Sequence, residues 1–446
     1  MERAAQLSTS PPRHSDPDFS APSRKWLEAS DPLERKHRGQ YLTPRHLRER
    51  LLDLVELKPG MKVLDPGVGT GEFLSSALDR EPELDMTGWD TDPTALATAG
   101  ELVPEATLEE RSAILPRSGE KFDLVVGNPP YFQFKATSAQ KRRFGAVISG
   151  RPNIFAFFFQ AGLEALVDGG QLAFVVPPSL NNGAYFESLR EYLIENAVIE
   201  HLEVMDGSDL FEGANTAVQL IVLRKDGGQS PNLTGGPGPK GGHDAGPDIG
   251  PFTFTREVEE ARFRRVIFTS SPSELARQFK DRRTLWELGY QAATGRIVWN
   301  QNRELLRTSP GADTVPLVWA RNLTGDGIRF DGNPDRPENI ITVGLSGPST
   351  GSAPPIQPSV GPAVLVNRVV GAVGKGELRA ATIPGGERFL AENHVNVLTP
   401  RPGVDPQARP DEVACLINGE GVSERVRLLT GNSQISAKEL THLLPL

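Results

Sequence analysis

The chain has 446 residues, 38% hydrophobic and 24% charged, with a formal net charge of −9 at pH 7 and an isoelectric point near 5.5. That length exceeds one ordinary core and predicts two domains. No apolar run approaches the ~20 residues that span a bilayer, and the acidic balance argues against a general nucleic-acid coat while leaving room for a local basic face. Residues 1–23 are rich in Ser, Pro and charge, carry no apolar core of a secretory signal, and are expected to be a disordered tail of a cytoplasmic protein. A helix follows, then Gly39-Gln40-Tyr41-Leu42-Thr43-Pro44, in which Thr43-Pro44 has the pattern of an N-cap and a proline at the first helical position. The next helix is predicted from Arg45 to Val55, with Leu47, Leu51, Leu52 and Leu54 on its apolar face.

Met61–Asp65 reads as a short strand ending in Pro66-Gly67-Val68-Gly69-Thr70-Gly71, and a helix begins at Glu72. This is the strand–glycine loop–helix opening of a doubly wound sheet. Its Gly-x-Gly-x-Gly spacing, with Asp65 at the strand end, suits S-adenosylmethionine better than a pyrophosphate cofactor. Met86–Asp90 is the next strand, and Asp90 lies where an acidic strand end accepts from ribose hydroxyls. Asp92-Pro93 caps the helix after it, and Trp89 or Thr91 is the candidate to lie against the cofactor's adenine. The apolar run Phe122–Val126 is a buried strand stopped by Asn128-Pro129-Pro130-Tyr131, because two prolines lack the amide hydrogens of a ladder. The stretch offers one side-chain acceptor (Asn128), one main-chain acceptor (Pro129) and one ring (Tyr131), which together match an exocyclic amine on a planar heterocycle. Gln133–Gly150 reads as a flexible basic stretch, Ile154–Leu166 as an apolar helix, and Gln171–Val176 as a strand after an Asp168-Gly169-Gly170 turn. A helix over Phe186–Ile194 and strands over Val198–Val204 and Thr216–Leu223 complete a three-layer α/β sandwich of about seven strands.

Gly227–Pro251 is rich in Gly, Pro, Ser and Asn and reads as a linker. Residues 252–446 read as a mixed α+β domain, with strand-like runs at Thr314–Trp319, Ala363–Val370 and His394–Leu398, a second Gly/Pro/Ser stretch at Gly344–Pro362, and helices at its end. The single cysteine, Cys415, excludes an internal disulfide and a thiolate metal cluster; its apolar neighbours predict a buried thiol. Basic clusters at Arg35–Arg38, Lys141–Arg143, Arg262–Arg265 and Lys280–Arg283 are each read first as solvated surface, and together they lean towards a polyanionic partner.

From Gly39 to Leu223 these stretches resemble, in motif order, the gamma-class N6-adenine DNA methyltransferases of restriction–modification systems. Gly39–Pro44 is similar to the family's cofactor-capping motif, Asp65–Leu74 to its glycine-rich cofactor loop, Asp90 to its ribose-binding acid and Asn128-Pro129-Pro130-Tyr131 to its catalytic tetrapeptide. Phe211 falls where the family places a second aromatic against an extruded base. The resemblance implies a Rossmann-like catalytic domain over residues 24–226 that binds S-adenosylmethionine through Thr43, Asp65, Gly67, Gly69, Gly71, Asp90 and Asn128. It implies methyl transfer to adenine N6 of duplex DNA by Asn128, Pro129, Tyr131 and Phe211, with no metal, no membrane and a separately encoded restriction endonuclease as a partner. The family often carries an Asp near the cofactor adenine; here that position falls near Ser112, with Glu109 and Glu110 just upstream.

The second half is then expected to recognise the target. Arg296, Arg321, Asn322, Asn367, Arg368, Lys375 and Asn393 are the candidate DNA contacts, since Arg and Asn match guanine and adenine edges. Two alternatives remain open: an amino methyltransferase acting on a protein glutamine or on RNA, and a non-catalytic DNA-binding relative.

Overall fold

The computed structural model describes residues 18–115, 119–148, 150, 152–181, 183–205, 217–226, 249–258, 261–280, 282–342, 356–368, 377–430 and 434–446. The chain divides into two compact units, Met1–Thr253 with Arg265–Pro272, and Phe254–Arg264 with Ser273–Leu446. The linker expected at 227–251 falls mostly outside the described residues.

Among the described residues, the first unit is built on seven strands: β1 (Lys62–Asp65), β2 (Asp85–Asp90), β3 (Thr107–Glu110), β4 (Phe122–Gly127), β5 (Leu166–Val176), β6 (Ala197–Met205) and β7 (Val218–Lys225). They form one sheet in the order β3-β2-β1-β4-β5-β7-β6. The β1–β2, β1–β4, β2–β3 and β4–β5 pairs are parallel, while β7 runs antiparallel to both β5 and β6. This is an α/β, Rossmann-like sheet whose order reverses between β1 and β4, so the carboxyl ends of those two strands flank the crevice where open α/β sheets bind ligands.

Helices cover both faces: α1 (Ala21–Ala29), α2 (Pro32–Arg38), α3 (Arg45–Leu52), α4 (Glu72–Leu78), α5 (Pro93–Leu102), α6 (Ser138–Arg143), α7 (Ile154–Ala165) and α8 (Glu187–Asn196). One core packs α3, α4 and α5 side chains such as Leu47, Leu74 and Leu96 against Val63, Leu124 and Val175. The other packs the four phenylalanines of α7 against Val125, Leu172 and Phe174. Asn153 caps α7 by accepting from the Phe155 N–H, and Asp92 caps α5 by accepting from Thr94 and Ala95.

Several expectations need correction. The tail does not extend to residue 23: α1 starts at Ala21 and Ser23 is fully buried, because its hydroxyl donates to Thr70 Oγ1 at 2.7 Å. Pro44, not Thr43, occupies the N-cap of α3, and no side chain caps it. The Gln133–Gly150 stretch is ordered around α6, which a Thr137–Gln140 capping box starts, and it buries Phe144 and Val147 in the α7 core. β5 begins at Leu166 and absorbs the expected Asp168-Gly169-Gly170 turn as an irregularity in its pairing with β4. Strand β3, not foreseen, is four residues long and forms an edge of the sheet.

A hairpin of β8 (Gly250–Val258) and β9 (Ala261–Thr269) carries the boundary between the units, and Val266 and Phe268 join the first unit's core. The second unit holds α9 (Pro272–Phe279) and strands β10 (Tyr290–Thr294), β11 (Leu306–Arg307), β12 (Thr314–Val318), β13 (Asn339–Ile341), β14 (Ser359–Val360), β15 (Ala363–Asn367), β16 (Ala380–Ile383), β17 (Arg388–Ala391) and β18 (Val395–Pro400). These make two sheets, β10-β18-β15-β16 and β11-β13-β12-β17-β14, followed by α10 (Pro410–Ile417), α11 (Val422–Thr430) and α12 (Ala437–His442). Cys415 is exposed, contrary to expectation: α10 turns Val413, Ala414 and Ile417 inward, and residue 415 falls on the opposite face.

Candidate active site

Three strand ends build the site. At the end of β1, Asp65 is 2% exposed and its Oδ1 accepts from the Gly67 N–H at 3.0 Å. Burial pushes its carboxyl up to about 8, the nearby Asp90 adds to that, and the Gly67 bond opposes it. The glycine loop is then pinned to β2: Val68 N–H donates to the Trp89 carbonyl at 2.9 Å, and Gly69 N–H donates to Asp90 Oδ2 at 2.9 Å. Gly71 turns the chain into α4 with φ +87°, and a Cβ there would lie 3.1 Å from Ala99, so glycine serves both the turn and the close packing of α5.

At the end of β2, Asp90 Oδ1 accepts from the Asp92 N–H at 2.9 Å. Burial raises the Asp90 carboxyl above its ordinary range, against the stabilising N–H groups of Asp92 and Gly69. Burial acts the same way on Asp92, but bonds from Gln40 and Thr94 outweigh it and hold that carboxyl low.

At the end of β4, Asn128 Nδ2 donates to the Tyr41 carbonyl at 3.1 Å, which fixes Oδ1 as the acceptor end of the amide. The Tyr131 hydroxyl donates towards Asn128 Oδ1 and lies 2.6 Å from the Val175 carbonyl; burial pushes its ionisation well above the ordinary range. The Tyr131 ring stands edge-on to Phe155, centroids 6.3 Å apart.

These ends converge on a cavity of about 280 Å³. Of the expected site residues, Gly67, Gly69, Asp90 and Asn128 line it. Thr43, Asp65, Gly71, Pro129 and Tyr131 are not among the lining residues; Asp65 and Gly71 shape the loop from behind, and Thr43 is buried. Thr91 lines the cavity, whereas Trp89 is buried against Phe122 with the Arg111 guanidinium 4.5 Å above its ring. Ser112 lines the cavity beside Arg111 and Ala113, while Glu109 and Glu110 do not. Phe211 and Lys375 lie outside the described residues.

Sequence reasoning missed the contribution of Trp26, Arg38 and Arg111 to this wall. Neither Trp26 nor Arg38 carried a signal, since each precedes the first motif and sits on an ordinary polar helix. Tyr41 lay inside the Gly39–Pro44 stretch, and its role there is a backbone carbonyl that any residue supplies.

In the second unit, three expected DNA contacts are structural instead. Asn322 is 1% exposed and spends its amide on the Trp319 N–H, the Arg329 carbonyl and Glu338. Asn367 is buried and bonds the Glu377 carbonyl and the Arg379 N–H. Arg321 is clamped between Asp331 and Glu338. Arg296 is exposed, Arg368 and Asn393 are half-buried, and Arg368 Nη1 donates to the Asn393 carbonyl at 3.3 Å.

Comparison with known proteins agrees with this geometry. Residues 91–211 match the Eco57I restriction-modification methylase family. The modification methylase CviBIII of Paramecium bursaria Chlorella virus NC1A is 28% identical over 200 residues, which cover 44% of this chain and 52% of that protein. The type II methyltransferase M.TthHB8I of Thermus thermophilus is 28% identical over 201 residues, covering 42% and 45%. The chain thus spans about half the length of these curated relatives. Among solved structures, the type I restriction enzyme EcoKI M protein aligns with 44% of this chain and 46% of its own, at 20% identity and a TM-score of 0.36. By its matched sequence, the first unit is similar over residues 91–211 to the Eco57I restriction-modification methylases.

Proposed function

We propose that the chain transfers a methyl group from S-adenosylmethionine to the N6 amine of an adenine extruded from duplex DNA, at a site the second unit recognises. The observation that carries this reading is that the Asn128 amide opens on the same cavity as Gly67, Gly69 and Asp90. That cavity fits the cofactor. Gly69 lines it with φ +50°, and no atom lies within 4 Å of where its Cβ would stand. Asp90 offers carboxylate lone pairs to ribose hydroxyls, and Ile154 and Phe158 give an apolar wall for an adenine. When bound, the cofactor supplies an already activated sulfonium methyl, so placement of the amine is the task left to the protein.

The chain's own residues suit that task. The Tyr41 carbonyl fixes which end of the Asn128 amide accepts. Asn128 Oδ1 and the Pro129 carbonyl would take the two N6 hydrogens and favour a tetrahedral nitrogen as the methyl arrives. Tyr131 and Phe211 would flank the extruded base and replace its lost stacking. Neither a covalent nucleophile nor a strong base is required. A separately encoded restriction endonuclease is the partner this reading implies, and the cytoplasm its setting.

The test is methyl transfer from labelled S-adenosylmethionine to duplex DNA of varied sequence, with modified positions mapped by sequencing. Asn128→Ala is expected to lower transfer by about 10³-fold or more while S-adenosylhomocysteine affinity stays within a few-fold. Cofactor binding with no labelling of any duplex, and with labelling of a protein or RNA instead, defeats the DNA reading.

A further inference from the structure

The four-stranded sheet of the second unit has a basic residue just beyond each strand at a single rim, with Arg368 beside His394 on one face and Arg379, which stands opposite Asn367, on the other. Strand order is β10-β18-β15-β16, and neighbouring strands are antiparallel. The pairs Thr294–Asn396, Asn367–Val395 and Val366–Ala380 therefore bring the end of β10, the start of β18, the end of β15 and the start of β16 to the same edge. Just past those pairs stand Arg296, His394, Arg368 and Arg379, in that order across the sheet. Backbone bonds hold them there: Gly295 N–H to the Val395 carbonyl at 2.7 Å, Arg368 N–H to the His394 carbonyl at 2.7 Å, and Asn367 N–H to the Arg379 carbonyl at 3.2 Å.

His394 is the centre of this row. Its side chain is 46% exposed, yet Glu392 beneath it is 1% exposed and takes both the ring Nδ1, at 2.8 Å, and the His394 N–H, at 2.9 Å. The carboxylate thus sets the tautomer with hydrogen on Nδ1 and leaves Nε2 for an outside partner. Arg296 is exposed, and its Nη2 donates to the Gln357 carbonyl at a long 3.4 Å. Arg379 is 49% exposed and shares only the exposed Glu377, at 3.1 Å.

We infer that this rim is a track for the phosphates of one DNA strand, with Arg296, His394, Arg368 and Arg379 as successive contacts. The inference rests on the DNA reading above and deepens it by naming the contacting edge. Four strands spaced ~4.8 Å apart carry the row across about 15 Å, a span that reaches about three successive phosphates of one strand of B-form DNA. In a chain of net charge −9, a rim whose acids, among the described residues, are one buried carboxylate and one exposed glutamate is a local exception that a polyanion would find. Long guanidinium side chains meet phosphate oxygens in pairs.

The experiment uses the full-length protein, saturated with S-adenosylhomocysteine, and a fluorescent duplex of arbitrary sequence titrated across a salt series. The triple variant Arg296→Gln/Arg379→Gln/His394→Gln changes only side chains at the exposed rim, and circular dichroism checks its fold. It is expected to bind the duplex at least tenfold more weakly at low salt, with the slope of log affinity against log salt reduced by about 2 to 3. Its affinity for S-adenosylhomocysteine should not change. If the wild-type protein binds duplex and the triple variant matches it in affinity and slope, the rim is ordinary solvated surface and the inference falls while the DNA reading stands. If the wild-type protein binds S-adenosylhomocysteine but no duplex at any salt, the DNA reading falls and takes the rim with it.

Discussion

Asp65→Asn is the substitution whose outcome the structure constrains most tightly. The carboxyl is 2% exposed, and burial, with Asp90 adding to it, pushes its ionisation from 3.8 to about 8. At pH 7 the folded chain therefore holds a proton here that the unfolded chain has released. A group whose folded value is raised contributes stability that is full below its unfolded value and is lost as pH climbs to the folded one. The window is thus pH 4 to 8, and stability falls through it. At ~1.36 kcal/mol per unit, the full span is about 6 kcal/mol, and roughly 4 kcal/mol of it is already lost at pH 7. Asparagine is neutral throughout and keeps an oxygen for the Gly67 N–H, now at 3.0 Å. Its amide has two hydrogens to satisfy where a carboxylic acid has one, which offsets about 1–3 kcal/mol. The variant should therefore be more stable than wild type at pH 7 by one to a few kcal/mol, of this order because the two contributions subtract. It should also show a flatter decline between pH 4.5 and 8. Urea unfolding followed by tryptophan fluorescence, in which Trp26 and Trp89 belong to the first unit and Trp286, Trp299 and Trp319 to the second, measures both from the transition of the first unit. A variant less stable than wild type at pH 7, or one with the same pH slope, refutes an uncharged Asp65.

Three further substitutions or modifications follow from the same packing. Gly127→Ala would place a Cβ 2.6 Å from Asp65 Oδ1 and should destabilise the first unit by about 1–3 kcal/mol; Asp65→Ala in the same chain should recover part of the loss, read as a coupling in a double-mutant cycle. Arg48 and Glu72 form an ion pair at 2.8 Å with side chains 4% and 8% exposed, so Arg48→Ala, which strands a buried carboxylate, should cost about 3–5 kcal/mol by urea unfolding. Cys415 should react with a thiol reagent in the native protein as fast as in urea, since α10 leaves it on the outer face; protection of more than tenfold would return it to the core.

The sheet of the first unit was legible because each strand end carries its own chemical mark. Asp65 before the glycine loop, Asp90 before an Asp-Pro cap and Asn128 before two prolines all sit at carboxyl ends, and the sheet order brings them to one edge. What stayed hidden depends on tertiary partners. β3 is four residues with no fully buried side chain, so its alternation is too weak to read. The Gln133–Gly150 stretch looks polar because α6 is polar, and its two anchors, Phe144 and Val147, acquire meaning only against α7. In the second unit the rule that Arg and Asn suit base edges selected Asn322 and Asn367. A buried amide that satisfies backbone groups has the same composition signature as one that reads a base, and only burial separates them.

The segment before the first motif shows where motif logic ends. Residues 18–38 contribute three links to the glycine-loop side of the cavity: Ser20 N–H to Glu72 at 2.8 Å, Ser23 Oγ to Thr70 at 2.7 Å, and Trp26 Nε1 to Thr94 at 3.0 Å. Gln40 Nε2 adds a fourth, to Asp92 Oδ2 at 2.9 Å. Each is worth only about 1 kcal/mol alone, but the four close on the loop, on the N-terminus of α4 and on the cap of α5, so α1 and the loop are fixed by one another. A glycine loop without this brace would have to be ordered by its ligand, at the expense of affinity. The residues that give the loop its sequence signature are therefore those nearest the ligand, whereas the residues that keep it in shape include two serines and a tryptophan with no signature at all.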